Sequence, residues 1–304
     1  MSVTLIDLSN ALAQVTERAA TAAVAAHAEA RGSSTGVIWR PGVIVTAEHA
    51  LRRDEGIQVT LPDGRVVPAS LVGRDPSTDL AVMKCSEATA SPIETADADA
   101  VRPGALALVV GRTRASGPVV TLGVVSLVAS ERRTWTGAAL SPYIRLDVAL
   151  QPTAIGGAVI DAHGKVFGIA TPRFARFGAI AVPTATVNRV VDVILQKGRI
   201  PRGYIGVGLQ PVRLPEKLRQ SLKRTERTAV IVLEVEPEST ANRAGIVIGD
   251  ILVSLDGKPV THLENVQSHL HAENIGKTLA AKIVRGGVPQ DLNIVVTERE
   301  HKGE

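Results

Sequence analysis

The chain has 304 residues, enough for about two domains, each with its own core. Hydrophobic residues make up 45% and charged residues 21%, which excludes a disordered chain. Thirty-four Lys and Arg against thirty Asp and Glu leave a net charge of +4, too small to argue by itself for nucleic-acid or membrane binding. Cys85 is the single cysteine, so neither an intrachain disulfide nor a thiolate metal cluster can form, and no cofactor or metal site is expected. Phe, Trp and Tyr together number seven, so Val, Ile, Leu and Ala must fill the interior. That composition favours strands.

Residues 1–10 hold no basic leader followed by an apolar run, and nowhere does the chain approach the roughly 18 apolar residues of a membrane span. A cytosolic location is expected, or a periplasmic one if a leader has been removed. Leu5, Leu8, Leu12, Val15 and Ala19 recur at helical spacing behind Thr4, a residue able to cap a helix, so residues 4–19 read as an amphipathic helix that docks on the next domain. From residue 20 to 183 the pattern becomes short runs rich in Val and Ile, separated by turns such as Pro62-Asp63-Gly64 and His163-Gly164. Many short strands with such punctuation indicate a sandwich or barrel. Val187, Val190, Val191 and Ile194 then return to helical spacing over 184–196, with Gly198 as the stop.

Residues 199–227 carry eight basic residues and, as acids, only Glu216 and Glu226. This stretch reads first as a solvated, mobile basic loop, and second as a binding face for acidic partners. Strands at 205–209, 230–235, 251–255, 281–285 and 292–297, with a helix over 263–271, form a second unit. Asp256-Gly257 and Arg285-Gly286-Gly287 supply its hairpin turns.

Two residues invite a catalytic reading. His49 follows the apolar run Val43-Ile44-Val45, where a ring nitrogen could act as a general base. Asp79 opens the buried run Leu80-Ala81-Val82, where a carboxylate could orient an imidazole. Taken singly, His49 reads as a structural histidine and Asp79 as a turn residue.

The ordered series is more informative. Thr46-Ala47-Glu48-His49, Asp75-Pro76-Ser77-Thr78-Asp79-Leu80-Ala81-Val82, Thr121-Leu122-Gly123-Val124-Val125-Ser126, Gln151-Pro152 with Gly156-Gly157-Ala158-Val159-Ile160-Asp161, Ala181-Val182-Pro183 and Gly203-Tyr204-Ile205-Gly206-Val207 together resemble the trypsin-like HtrA (DegP, DegS) family. The run from Ala244-Gly245-Ile246 through Gly249-Asp250-Ile251 to Asp256-Gly257-Lys258-Pro259-Val260 resembles the central signature of a PDZ domain. The resemblance implies a mainly β protein: a trypsin-like double β-barrel of two six-stranded barrels, followed by an α+β PDZ domain. The implied order is an N-terminal helical segment (1–19), the double barrel (20–198), a linker (199–203), the PDZ domain (204–298) and a tail (299–304).

It also implies that His49 is the base and Asp79 its orienter. The nucleophile does not carry over. Where the family has Pro-Gly-x-Ser-Gly-Gly, this chain reads Pro152-Thr153-Ala154-Ile155-Gly156-Gly157. Ile155 has no lone pair to attack a carbonyl, and Thr153 stands where a glycine N–H would join the oxyanion hole. A pseudoprotease is therefore expected, with an active endopeptidase using another hydroxyl as the alternative. In the PDZ domain, Tyr204, Ile205, Gly206 and Val207 match the carboxylate-binding loop, and Val266 and Leu270 would complete the pocket for a terminal side chain. The expected partners are protein C-termini or unfolded polypeptides, in a homo-oligomer that the resemblance implies to be a trimer. Nucleic acid is not expected, because the basic stretch lacks interleaved aromatics.

Overall fold

The computed structural model describes residues 4–27, 33–134 and 138–298. Contacts divide the chain into two units after Ile200.

In the first unit, the helix Leu5–Ala20 begins at a capping box, with Asp7 N–H donating to Thr4 Oγ1 and Thr4 N–H to the Asp7 carboxylate. Only its last turns are packed. Val15, Ala19 and Ala20 are buried, and Arg18 donates to the His163 carbonyl at 3.1 Å. Leu5 and Leu8, expected to dock, are 86% and 41% exposed. The helix is held by its C-terminal half, and its first turns run past the surface it sits on.

The first barrel is a sheet in the order Val66–Pro68, Gln58–Thr60, Ala23–His27, Ser34–Arg40, Val43–Ala47, Leu80–Lys84, Ser70–Asp75. Its two end strands are separated by Ala69 alone, so they are one strand bent after Pro68. Proline lacks the N–H that a ladder needs, and pairing switches there from one neighbour to the other. Counted this way, the barrel has six strands and the chain itself closes it. Ala23–His27 escapes the sequence reading because alanine has low strand propensity, yet all five residues are buried. The second barrel closes through hydrogen bonds in the order Tyr143–Asp147, Ala179–Pro183, Val166–Thr171, Ala158–Ile160, Leu106–Thr113, Gly117–Ala129. The helix Thr184–Lys197 buries Val187, Val190, Val191 and Ile194 and ends at Gly198, whose left-handed backbone (φ 72°) lets its N–H reach the Ile194 carbonyl.

The second unit is an antiparallel sheet in the order Val207–Arg213, Thr228–Val235, Ile251–Leu255, Thr278–Arg285, Val288–Val295, with Lys258–Pro259 beside Ile251–Leu255. Asp256 and Gly257 (φ 45° and 72°) make the two-residue turn. A short pair, Gly203–Tyr204 with Thr297–Glu298, ties the two ends of this unit together. The expected tail, 299–304, lies outside the described residues.

Two further expectations need correction. The basic stretch is not a mobile loop: it contains the edge strand Val207–Arg213 and the helix Glu216–Ser221, and Arg224 donates to the Val253 carbonyl. The basic side chains there sit on ordered elements whose apolar residues, Val212, Leu214, Leu218 and Leu222, pack inward. The helix expected over 263–271 is shorter, Leu263–Gln267. The Ser268 hydroxyl and His269 Nδ1 both donate to the Asn265 carbonyl, each at 2.8 Å, competing with the backbone bonds that would continue the helix.

Candidate functional site

Strand Val43–Ala47 delivers its end into a tight turn, Glu48–Ala50, that carries His49. Asp79 precedes strand Leu80–Lys84 in a left-handed conformation (φ 58°), which Asp tolerates better than most residues. Antiparallel pairing of these two strands brings the residues together. The Asp79 carboxylate accepts from His49 Nδ1 at 2.7 Å and from the His49 backbone N–H at 3.0 Å. Thr171, at the end of strand Val166–Thr171 in the other barrel, also donates its hydroxyl to Asp79. Asp79 is fully buried, whereas the His49 side chain retains 27% exposure. With Nδ1 engaged, Nε2 is the ring nitrogen free to accept a proton.

Residues 152–154 form a single tight turn, and Ile155 follows in extended backbone, half-buried. Gly156 (φ 81°) fixes the position of this segment. A Cβ there would lie 2.4 Å from the Thr35 carbonyl and 2.7 Å from the Ala47 nitrogen, two residues before His49. Ile155 is therefore set against the strand end that presents the imidazole.

Several of the turn's backbone groups are engaged. Ala154 N–H donates to the Gln151 carbonyl at 2.9 Å, and Ile155 N–H leans back on the Pro152 carbonyl at 3.4 Å. The Thr153 carbonyl accepts from the Thr35 hydroxyl at 2.6 Å. Thr153 sits in this helical turn rather than in a glycine-only conformation, so the Ile155 N–H is directed into its own loop rather than outward as an oxyanion donor.

In the second unit, Ile205 and Val266 belong to the buried core, with Val207 and Leu270 partly buried at its border. The Ile205 carbonyl accepts from Ala241 N–H at 2.9 Å and the Gly206 carbonyl from Glu236 N–H at 2.9 Å. Because a trans peptide sets its N–H opposite its carbonyl, the N–H groups of Gly206 and Val207 point the other way, toward the side where the edge strand meets helix Leu263–Gln267. Gly206 is required: its φ is 81°, and a Cβ would meet Ser239 at 2.1 Å. The Tyr204 hydroxyl is already occupied, donating to Glu236.

Comparison with known proteins accounts for both units. The trypsin-like peptidase domain family matches residues 34–169, and the PDZ domain family matches residues 203–296. The chain is an HtrA-like, trypsin-fold protein with a PDZ domain. A probable periplasmic serine endoprotease, DegP-like, from Chlamydia pneumoniae is 30% identical over 270 residues, covering 87% of this chain and 54% of the relative. A protein of the same description from Brucella suis is 31% identical over 267 residues, covering 86% and 51%. The chain thus spans about half the length of these relatives.

Among solved structures, the HtrA-type protease AlgW with a decapeptide superposes with TM-score 0.70 at 25% identity, covering 95% of this chain and 98% of that one. The serine endoprotease from Yersinia pestis does so with TM-score 0.71 at 28% identity and the same coverage. The DegP-like relatives are described as periplasmic, which gives no support to the cytosolic expectation. Among the described residues, no helix is long and apolar enough to cross a membrane.

Two residues of this HtrA-like site escape the sequence reading, Thr35 and Thr171. Thr35 is fully buried; besides holding the Thr153 carbonyl, its Oγ1 accepts from Arg112 N–H at 2.8 Å and its backbone N–H donates to the Ile155 carbonyl at 2.9 Å. Both are threonines in strands, where that residue type is ordinary. Nothing in their local sequence marks a bond made across more than ninety residues.

Proposed function

We propose that this chain is a catalytically silent HtrA-like protein that binds polypeptide C-termini through its PDZ domain. The observation that carries the reading is Ile155, a hydrocarbon side chain in the segment packed beside the His49–Asp79 pair. A base without a neighbouring hydroxyl or thiol cannot form an acyl-enzyme, and the inward-turned Ile155 N–H removes an oxyanion donor as well.

Of the other hydroxyls, Thr153 lies two positions before Ile155 in the turn Pro152–Ala154, and Ser126 and Ser141 lie in other segments. The Ser126 hydroxyl donates to the Arg145 carbonyl at 3.2 Å, and the Ser141 hydroxyl to the Ser130 carbonyl at 2.7 Å. Capture of a C-terminus uses the Gly206 and Val207 N–H groups for the carboxylate and the border residues Val207 and Leu270, above the buried Val266, for the last side chain. The relatives' periplasmic description extends to this chain as part of the same proposal.

Incubation with unfolded casein and with a fluorophosphonate probe tests the silent unit. We expect neither hydrolysis nor covalent labelling above the His49→Ala background. Labelling of the unaltered protein that disappears in His49→Ala would establish an active enzyme and overturn the reading.

A further inference from the structure

Strand Val207–Arg213 is paired along one edge only, with Thr228–Val235. Just before it, the Gly206 carbonyl accepts from Glu236 N–H, and just after it, Leu214 N–H donates to the Arg227 carbonyl. Residues 206 and 214 therefore both turn their backbone groups onto the partner strand. The register skips Leu233 on that partner and leaves Val207–Arg213 unbroken. Alternation then puts the backbone groups of Val207 and Leu209 at the free edge, with those of Gly208 turned inward between them. Side chains alternate too. Val207 and Leu209 border the core that holds Val266, whereas Val212 and Leu214 belong to a separate cluster. Gly208 shares the face of Val212.

On that second face Gly208 stands directly opposite Glu234. A Cβ on Gly208 would lie 3.0 Å from the Glu234 Cβ and 3.4 Å from its Oε2. The backbone of Gly208 is not left-handed and could carry a side chain; what the glycine provides is room for the Glu234 carboxylate to lie across the edge strand. Glu234 is exposed, and among the described residues it has neither a hydrogen bond nor an ion pair. Glu236, two residues on, is already engaged by the Tyr204 hydroxyl.

A peptide whose carboxylate is held by the Gly206 and Val207 N–H groups runs antiparallel to the edge strand. Its last residue lies beside Val207 and its third-last beside Leu209, whose backbone groups are free to pair. The penultimate residue therefore stands opposite Gly208. Directly opposed residues of an antiparallel pair send their side chains to the same face, so the penultimate side chain leaves the groove bordered by helix Leu263–Gln267 and meets the face of Glu234. One strand spacing, about 4.8 Å, separates the peptide from Gly208, a span that the long stems of Lys and Arg can cross.

We infer that Glu234, lying across Gly208, is a specificity residue that favours Lys or Arg as the penultimate residue of a bound C-terminus. This deepens the peptide-binding reading of the PDZ domain and rests on it. A short or acidic penultimate side chain gains nothing from the carboxylate, and an acidic one is repelled by it.

The test uses the full chain and fluorescein-labelled octapeptides ending in Ala, Val, Leu or Phe, each with Lys, Gln or Glu at the penultimate or at the third-last position. Fluorescence anisotropy should show penultimate Lys binding about two- to fivefold more tightly than Gln, as expected for an exposed ion pair. Penultimate Glu should bind more weakly than Gln. The contrast should shrink in 0.5 M NaCl, vanish in Glu234→Gln and reverse in Glu234→Lys. Each contrast is a ratio within one variant, so a general change in affinity cancels.

Equal binding of penultimate Lys and Gln peptides overturns the assignment while leaving the PDZ reading intact. So does a contrast that survives Glu234→Gln, or one that is as strong at the third-last position, where the side chain faces the helix. If C-terminally amidated peptides bind as well as free acids, or if no peptide binds, the PDZ reading fails and the assignment falls with it.

Discussion

The turn that bears His49 and the loop that bears Ile155 lie side by side in one unit and differ in what they keep. Around His49, the geometry of a base and its orienter is complete: Asp79 accepts from the imidazole, from the His49 N–H and from Thr171. Around Ile155, the backbone keeps its place against Thr35 and Ala47 while the side chain has no reactive atom. The difference teaches that the His–Asp pair can be geometrically complete while the neighbouring position offers no nucleophilic atom. Asp79 is buried with three donors on it, and a carboxylate so held contributes to folding whatever stands at residue 155.

The largest effect should come from rebuilding the weaker side. Ile155→Ser with Thr153→Gly supplies the hydroxyl and frees the turn to aim two N–H groups outward. We expect casein hydrolysis at least about 100-fold above the unaltered protein, dependent on His49. Ile155→Ser alone should fall short of the double variant by about 100-fold, the usual cost of one oxyanion donor. If the single variant is as active as the double, the inward-turned N–H is not the obstacle that the geometry indicates.

The next effect tests the stronger side. Asp79→Ala leaves the buried Thr171 hydroxyl and the His49 N–H without their acceptor, and places alanine at φ 58°. A loss of about 3 kcal/mol in urea unfolding follows from unsatisfied buried donors and backbone strain. Asp79→Asn keeps an acceptor and tolerates the left-handed backbone, so it should lose about 1 kcal/mol. Equal stability of Asp79→Ala and the unaltered protein would mean that the pair is kept for something other than folding.

Much of this arrangement was readable from sequence, for identifiable reasons. Strands such as Val43–Ala47 and Ile251–Leu255 announce themselves through β-branched residues between turns, and the helix Thr184–Lys197 through its apolar spacing and Gly198. The position of Ile155 could be read because Gly156 and Gly157 hold the frame around it. What remained hidden depends on distance in the chain. Ala23–His27 is a strand because its neighbours bury it, and Thr35 and Thr171 matter through partners in another barrel. The basic stretch misled because charge was read as solvation, although every second residue of its strand faces a packed surface.

Thr35 sharpens the comparison at the smallest scale, because it links the two sides. Its hydroxyl donates to the Thr153 carbonyl and accepts from Arg112 N–H, and its own carbonyl accepts from the Thr46 hydroxyl at 2.6 Å. Thr35→Val matches the shape but strands two buried backbone groups, so a loss of about 1–2 kcal/mol is expected by urea unfolding. Thr35→Ser keeps the hydroxyl and should lie within about 0.5 kcal/mol of the unaltered protein if the bonds, rather than the methyl group, matter. Placed in the Ile155→Ser/Thr153→Gly background, Thr35→Val should also lower hydrolysis, because residue 153 then loses its tether to the strand that leads toward His49. Stability lost without any change in that activity would show that Thr35 supports the barrels and leaves the loop to hold itself.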